Sequence, residues 1–425
     1  MKGANYMKLK QMILKCLIIS LLIICIGCQD KSKNVVIDNN EEEIINLKFY
    51  GYKSEAINVI AIENSLQAYM EENPNVKITY ESVKGIEYYN ILEKRLKNAR
   101  YDDIFMIDED HLQEFKGDGY FADLSDLSTI SHFSEMSLNQ MKEENGSIYY
   151  VPSTISAFGL YCNMDLLKKH GQKVPQNEKE FMQVCDYFVN KGIVPIVANN
   201  DISLKTIAIA KALYPVYQSA NHDEIINQMN QDPKILAQYM KTGYEFVEKI
   251  INNKYVDAKV ALKTEKTKDD LIQFEKGENP FMLTGAWAAV RVQNDAPNLH
   301  FEVHPYPILE TGSVLVTNID TRLCVNAKGE HVEEAKKFIE YLTQDNVIWE
   351  FVNSQSSFSP LKETRLADDE TIQPLSSYLN EKNAMLGTDS RIKYSLWSLT
   401  RQGIQKLLKG EDIESAVSII ENANQ

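Results

Sequence analysis

The chain has 425 residues, and its 60 acidic against 45 basic side chains give a formal charge of −15 at pH 7. A surface that acidic repels phosphate backbones, which excludes nucleic acid as a partner. Three of the six cysteines fall in the first 28 residues; the rest, Cys162, Cys185 and Cys324, are too few and too scattered for a disulfide framework and read as buried small hydrophobes.

The amino terminus carries Lys2, Lys8, Lys10 and Lys15, no acid, and then an apolar run from Cys16 to Ile26. That run is roughly half the ~20 residues a membrane-spanning helix needs, so it reads as a signal-peptide core rather than an anchor. Met7 offers a second start. "IICIGC", ending at Cys28, resembles the lipobox of bacterial lipoproteins, in which the leader is cut before a cysteine whose thiol is diacylated. Removal of residues 1–27 with their four lysines takes the formal charge from −15 to −19. Residues 28–44, polar and without periodicity, form a flexible tether.

The body opens with a strand, "INLKFYGY" (Ile45–Tyr52). Val59, Ile62, Leu66, Tyr69 and Met70 follow helical spacing until Asn73-Pro74. Val76, Ile78 and Tyr80 alternate as in a strand, Tyr89, Leu92, Leu96 and Ala99 return to helical spacing, and Asp103–Ile107 is a third, apolar strand. Strand–helix–strand–helix–strand at this spacing predicts right-handed crossovers and a parallel sheet. Ligands of such sheets sit beyond the carboxyl ends of the strands, which singles out the loop at Tyr52-Lys53 and the turn "DEDH" (Asp108–His111). Further on, helices are expected over 179–191, 205–213, 235–251 and 333–343. Pro-rich "HPYPILETG" (304–312) is expected to cross between domains rather than lie inside a strand. The carboxyl end reads as a helix, a break at Gly410 and a final helix.

Catalytic motifs are absent: no GxxxxGK[ST], no GxGxxG after a strand, no HExxH and no GxSxG. No Cys/His spacing suits zinc and no EF-hand spacing is present, so neither metal nor cofactor is expected. Tryptophan placement is more telling. Trp287 lies in "FMLTGAW", where Gly285 permits close backbone approach, and Trp397 begins the helix that ends at Gly410. An indole offers a flat apolar face and one N–H, which suits a sugar ring. Trp349, inside a regular helix pattern, reads as core.

Four blocks then resemble, in order, segments of the extracellular solute-binding proteins of ABC importers, the family that includes maltose-binding protein. They are "DDIFMIDEDHLQEFKGDGYFADLSDL", "GSIYYVPSTISAFGLYCNMDLLKKHGQKVPQNEKEF…GIVPI", "FEKGENPFMLTGAW" and "AKKFIEYLTQDNVIWEFVNSQSSFSPLK". Cys162 replaces the family's usual Tyr, Asn177-Glu178 its Thr-Trp and Phe281 its Ala. The resemblance implies an α/β, two-lobe periplasmic-binding-protein-like fold (type II), with discontinuous lobes joined by a hinge. The amino-terminal lobe would hold 45–155 plus about 312–358, the carboxyl-terminal lobe 156–311 plus about 359–425. Crossings are expected near Ser156, Thr311–Asp320 and Pro360. The resemblance also implies a non-catalytic monomer that captures a carbohydrate, an oligosaccharide, in the cleft and delivers it to ABC permease subunits, held on the outer face of a Gram-positive cell membrane by Cys28. Trp287 and Trp397 match stacking tryptophans, Asp110 and His111 match a ligand-bonding acid and base, and Ser156 replaces a ligand-bonding glutamate. Asn200 and Asp201 lie near a third polar patch. A surface glycoside hydrolase and a sugar sensor for a histidine kinase are the rival readings.

Overall fold

Alternation of buried and exposed side chains builds the first sheet. In the computed structural model, which describes residues 43–98, 101–363, 365–379 and 383–423, β1 (Ile45–Gly51) buries Leu47 and Phe49, and β2 (Val76–Ser82) buries Val76 and Ile78. The leader, Cys28 and the tether before residue 43 lie outside the described residues. β3 (Ile104–Ile107) is buried throughout. β1 pairs in parallel with both β2 and β3. Parallel neighbours need a crossover, and the helices Ala56–Glu72 and Ile86–Lys97 provide the two. The first buries Ala61, Ile62, Leu66 and Tyr69 and stops at Asn73, since the residue before a proline disfavours helical backbone.

Two long strands organise the rest: β4 (Val151–Asn163) and, after β5 (Ile196–Val197), β6 (Phe281–Gly285), β7 (Phe301–His304) and β8 (Tyr306–Leu309), the strand β9 (Gly312–Val325); β10 (Ala384–Leu386) completes the sheet. β4 and β9 run antiparallel from Val151↔Leu323 to Phe158↔Val316. Each also takes other partners: β9 pairs with β3 over Arg322–Val325, and β4 pairs with β6 and β7 over Phe158–Asn163. β4 also spans two hydrophobic cores. Val151, Ile155 and Ala157 of β4 belong with β1–β3, whereas Phe158, Leu160 and Cys162 belong with the helices Ser203–Tyr217 and Pro233–Asn252. Within the β4–β9 stretch, Thr321 adopts φ 49°, the left-handed region that is an outlier for a β-branched residue, and it interrupts the pairing opposite Ser153.

The expectation for 304–312 requires correction. His304 ends β7, Tyr306–Leu309 is β8, and Leu309↔Gly312 closes a hairpin onto β9. Pro307 is tolerated because β8 pairs with β9 alone among the described strands, so an edge with no ladder partner faces away from it. The passage between cores happens in β9 itself. At the carboxyl end, Leu396–Leu408 and Ile413–Glu421 are separated by Gly410 at φ 86°, a backbone conformation glycine adopts without steric cost. Both helices pack on Pro233–Asn252.

Candidate functional site

Adjacent residues on a strand point to opposite faces, and the β4–β9 stretch uses both. On one face Ile155 borders a groove of about 890 Å³ that carries no tryptophan. On the other face Ser156 and Asp320 border a cavity of about 420 Å³. Tyr52 and Tyr89, packed against the β1–β3 core, and Trp287, packed against the other core, also line this cavity. It therefore lies between the two cores, with aromatic rings from each.

Its polar floor is tied together across the sheet. Lys53 Nζ donates to Asp320 Oδ2 at 3.1 Å, and Ser156 Oγ donates to the same oxygen at 2.7 Å. Burial works against ionisation of Asp320, but Lys53 and the Ser156 hydroxyl outweigh it and hold the carboxyl below its usual range. Glu55, also on the lining, is likewise held below its usual range against burial by hydrogen bonds and by Lys84 at 3.2 Å.

Trp287 owes its position to Gly285. A Cβ on that residue would fall 2.0 Å from Cζ3 of the indole, so only glycine lets the ring lie flush against the strand. The indole meets Phe158 edge-on at 5.3 Å, and Trp397 meets the same Phe158 at 5.4 Å. Trp397 is half-buried but does not line the cavity, and the Lys205 ammonium lies 3.9 Å from the centre of its ring. Lys205 is 1% exposed and is paired with Asp201 at 2.7 Å; Lys266 pairs with the other oxygen at 2.5 Å. Burial pushes Lys205 down to about 8 in spite of Asp201, and the two lysines pull Asp201 down to about 2 against burial. Asn200 is bound through its backbone, to Thr264 and Gln405.

The acidic turn divides its labour. Asp108 caps the helix Glu109–Phe115, accepting from His111 N at 3.0 Å, and meets His111 Nδ1 at 2.6 Å. Glu109 pairs at 2.9 Å with the buried Arg322 of β9. Asp110 is exposed. The His111 ring stacks on Tyr89 with centroids 3.7 Å apart, one ring behind the cavity; burial opposes protonation, but Asp108 outweighs it and raises the imidazole. Of the residues expected at a site, Tyr52, Lys53, Ser156 and Trp287 come together on the lining. Asp110, His111, Asn200, Asp201 and Trp397 do not reach it. Trp349, expected in the core, is half-buried with Arg365 5.4 Å from its ring centre.

Sequence reasoning missed Glu55, Tyr89, Arg291, Asp320 and Gln355, all on the lining. Tyr89 carried a helical-core signal and Asp320 sat in an alternating strand, so neither advertised a cleft. Arg291 had a usable signal: it stands four residues after Trp287, in the helix Ala289–Asp295 that follows the turn holding the indole. Among the described residues no group of three or more His, Cys, Asp or Glu is placed to hold a metal.

Comparison with known proteins places this architecture. The sequence model of the family described as bacterial extracellular solute-binding protein matches residues 64–374. The chain is similar to the multiple sugar-binding protein of Streptococcus mutans serotype c, 22% identical over 376 residues that cover 84% of each chain. It superposes on apo RafE from Streptococcus pneumoniae with a TM-score of 0.69 at 20% identity, covering 89% of this chain and 97% of that one. A sugar transporter from Bacillus licheniformis in complex with stachyose gives 0.66 at 18% identity, covering 89% and 98%. These likenesses establish the two-lobe α/β fold. The chain belongs to the bacterial extracellular solute-binding protein family.

Proposed function

We propose that this protein captures an oligosaccharide in the cavity between its lobes and delivers it to the permease subunits of an ABC transporter. The observation that carries this is the lining: Tyr52 and Tyr89 from one lobe and Trp287 from the other, above the Lys53–Asp320–Ser156 floor. Aromatic faces suit the C–H faces of sugar rings, and fixed polar groups suit their hydroxyls. A ligand touching both lobes favours the closed arrangement, which is the state a permease would recognise. The names of the relatives, which speak of multiple sugars and of stachyose, support the same ligand class.

The carboxylates support a reading of binding without turnover. A glycosidase needs one carboxyl raised so that it can donate a proton. Glu55 and Asp320 line the cavity, and both are held below the usual range by lysine partners and hydrogen bonds. Cys28 is the proposed lipid anchor on the outer face of the cell membrane; among the described residues no helix is long and apolar enough to cross a membrane. The lobes are proposed to divide at 155/156, about 311/312 and about 358/359, and the working form is proposed to be a monomer. A thermal-shift screen against mono- and oligosaccharides tests the proposal: at least one oligosaccharide should raise the melting temperature. A panel in which only amino acids, peptides or metal ions do so would refute it.

A further inference from the structure

The charges on the cavity lining do not cancel, although the chain as a whole carries −15. Lys53 is matched by Asp320 and Lys84 by Glu55, but Arg291 has no carboxylate partner among the described residues. Arg291 is half-buried, and among the described residues its guanidinium is fixed at one corner, by Nη1 donating to the carbonyl of Thr267 at 2.8 Å. Thr267 itself is held at φ 53°, a backbone state that β-branched residues rarely take, and it too lines the cavity. The lining's two carboxylates are engaged, Asp320 by Lys53, Ser156 and the Thr321 N–H, and Glu55 by Lys84 and Asn58. An unmatched cation on a lining whose two carboxylates are both engaged describes a site complementary to a negatively charged ligand.

From this geometry we infer that the ligand is an acidic oligosaccharide, one of whose rings is a hexuronic acid, with Arg291 as the counter-ion of its carboxylate. The inference rests on the carbohydrate reading above. Trp287 sits in the 3-10 turn Ala286–Ala288 and Arg291 in the helix Ala289–Asp295 that follows it, and both line the cavity. A pyranose stacked on the indole can thus turn one edge, where a C5 carboxylate projects, toward the guanidinium. The planar guanidinium fork accepts a carboxylate through two parallel hydrogen bonds, whereas a neutral hydroxymethyl group can use only one arm of it. An unmatched cation in the cleft also offsets the repulsion that so acidic a protein exerts on an anion.

The test is calorimetric titration of the mature chain with trigalacturonate, a glucuronate-containing trisaccharide, their methyl esters, raffinose, and a sulfated trisaccharide. The expected result is that one uronate binds about tenfold or more tighter than its own methyl ester at low salt, with the gap narrowing as salt is added. Arg291→Gln should erase that gap while melting like the parent, and Arg291→Lys should keep a reduced preference for the acid. Equal binding of acid and ester, failure of every uronate, tighter binding of the sulfated sugar, or an unchanged gap in Arg291→Gln would overturn the inference. Binding of raffinose alone would overturn it yet leave the carbohydrate reading standing. Silence across all the sugars would remove both.

Discussion

Gly285→Ala is the most economical way to ask whether Trp287 is a binding platform. The backbone at this position (φ −82°, ψ 151°) suits alanine, so the substitution introduces no backbone strain. The added Cβ would meet three indole carbons at 2.0, 2.1 and 2.4 Å. Carbon atoms settle about 3.5–4.0 Å apart, so the ring must move by roughly 1.5–2 Å. Displacing an aromatic anchor from its stacking position costs about 1–3 kcal/mol of binding, or about five- to 150-fold in Kd. Stability should change little: the Gly→Ala exchange stabilises by about 0.4–1 kcal/mol through the unfolded chain, against the loss of one half-buried contact. The assay is calorimetric titration with the best sugar found by screening, together with urea melts and tryptophan emission. Wild-type affinity in a variant whose emission shows the indole has moved would refute the assignment of Trp287 to the ligand.

Asp201→Ala leaves the buried Lys205 ammonium without its carboxylate, and denaturant melts should show a loss of about 3–5 kcal/mol; a loss under about 1 kcal/mol would show that the pair is idle. Asp201 titrates from a usual value of 3.8 and is depressed to about 2 in the fold, so it stabilises above its unfolded value and that contribution is lost as pH falls toward 2. The melting temperature of the parent should therefore drop faster than that of Asp201→Ala between about pH 4 and pH 2, a difference that scanning calorimetry reads directly. Trp349→Ala should lower stability by less than the 3–5 kcal/mol typical of a fully buried tryptophan and leave affinity unchanged, as titration and melts on one sample would reveal. Cys28→Ser should release the protein into the medium or leave an uncleaved precursor, visible by fractionation and mass; unchanged membrane association would remove the lipid anchor from the account.

The amino-terminal β-α-β-α-β unit was legible in the sequence because β2 and the first helix each follow their own period: two for Val76 and Ile78, helical for Ile62, Leu66 and Tyr69. The 304–312 segment misled because its prolines suggest a linker, whereas edge strands tolerate proline and the tertiary pairing with β9 decides the outcome. At the site, Trp287 was visible through the glycine before it, and Tyr52-Lys53 through the rule that ligands gather beyond parallel strands. Asp320 and Gln355 were not, since nothing local marks a strand residue or a helix end as facing a cleft. Asp110 and His111 drew attention as a polar cluster, yet the neighbouring Asp108 and Glu109 serve a helix cap and an ion pair with Arg322. Trp397 carries a buried ammonium against its ring, a partner that sequence cannot reveal.

The central claim is that one sugar binds between the lobes and leaves unchanged. Calorimetric titration of the mature chain with an oligosaccharide, followed by chromatography of the recovered ligand, tests it most directly. Saturable binding of one oligosaccharide per chain, weakened in Trp287→Ala, with the sugar recovered intact, is the predicted result. Cleaved sugar, with turnover lost when Glu55 or Asp320 is replaced, would contradict it.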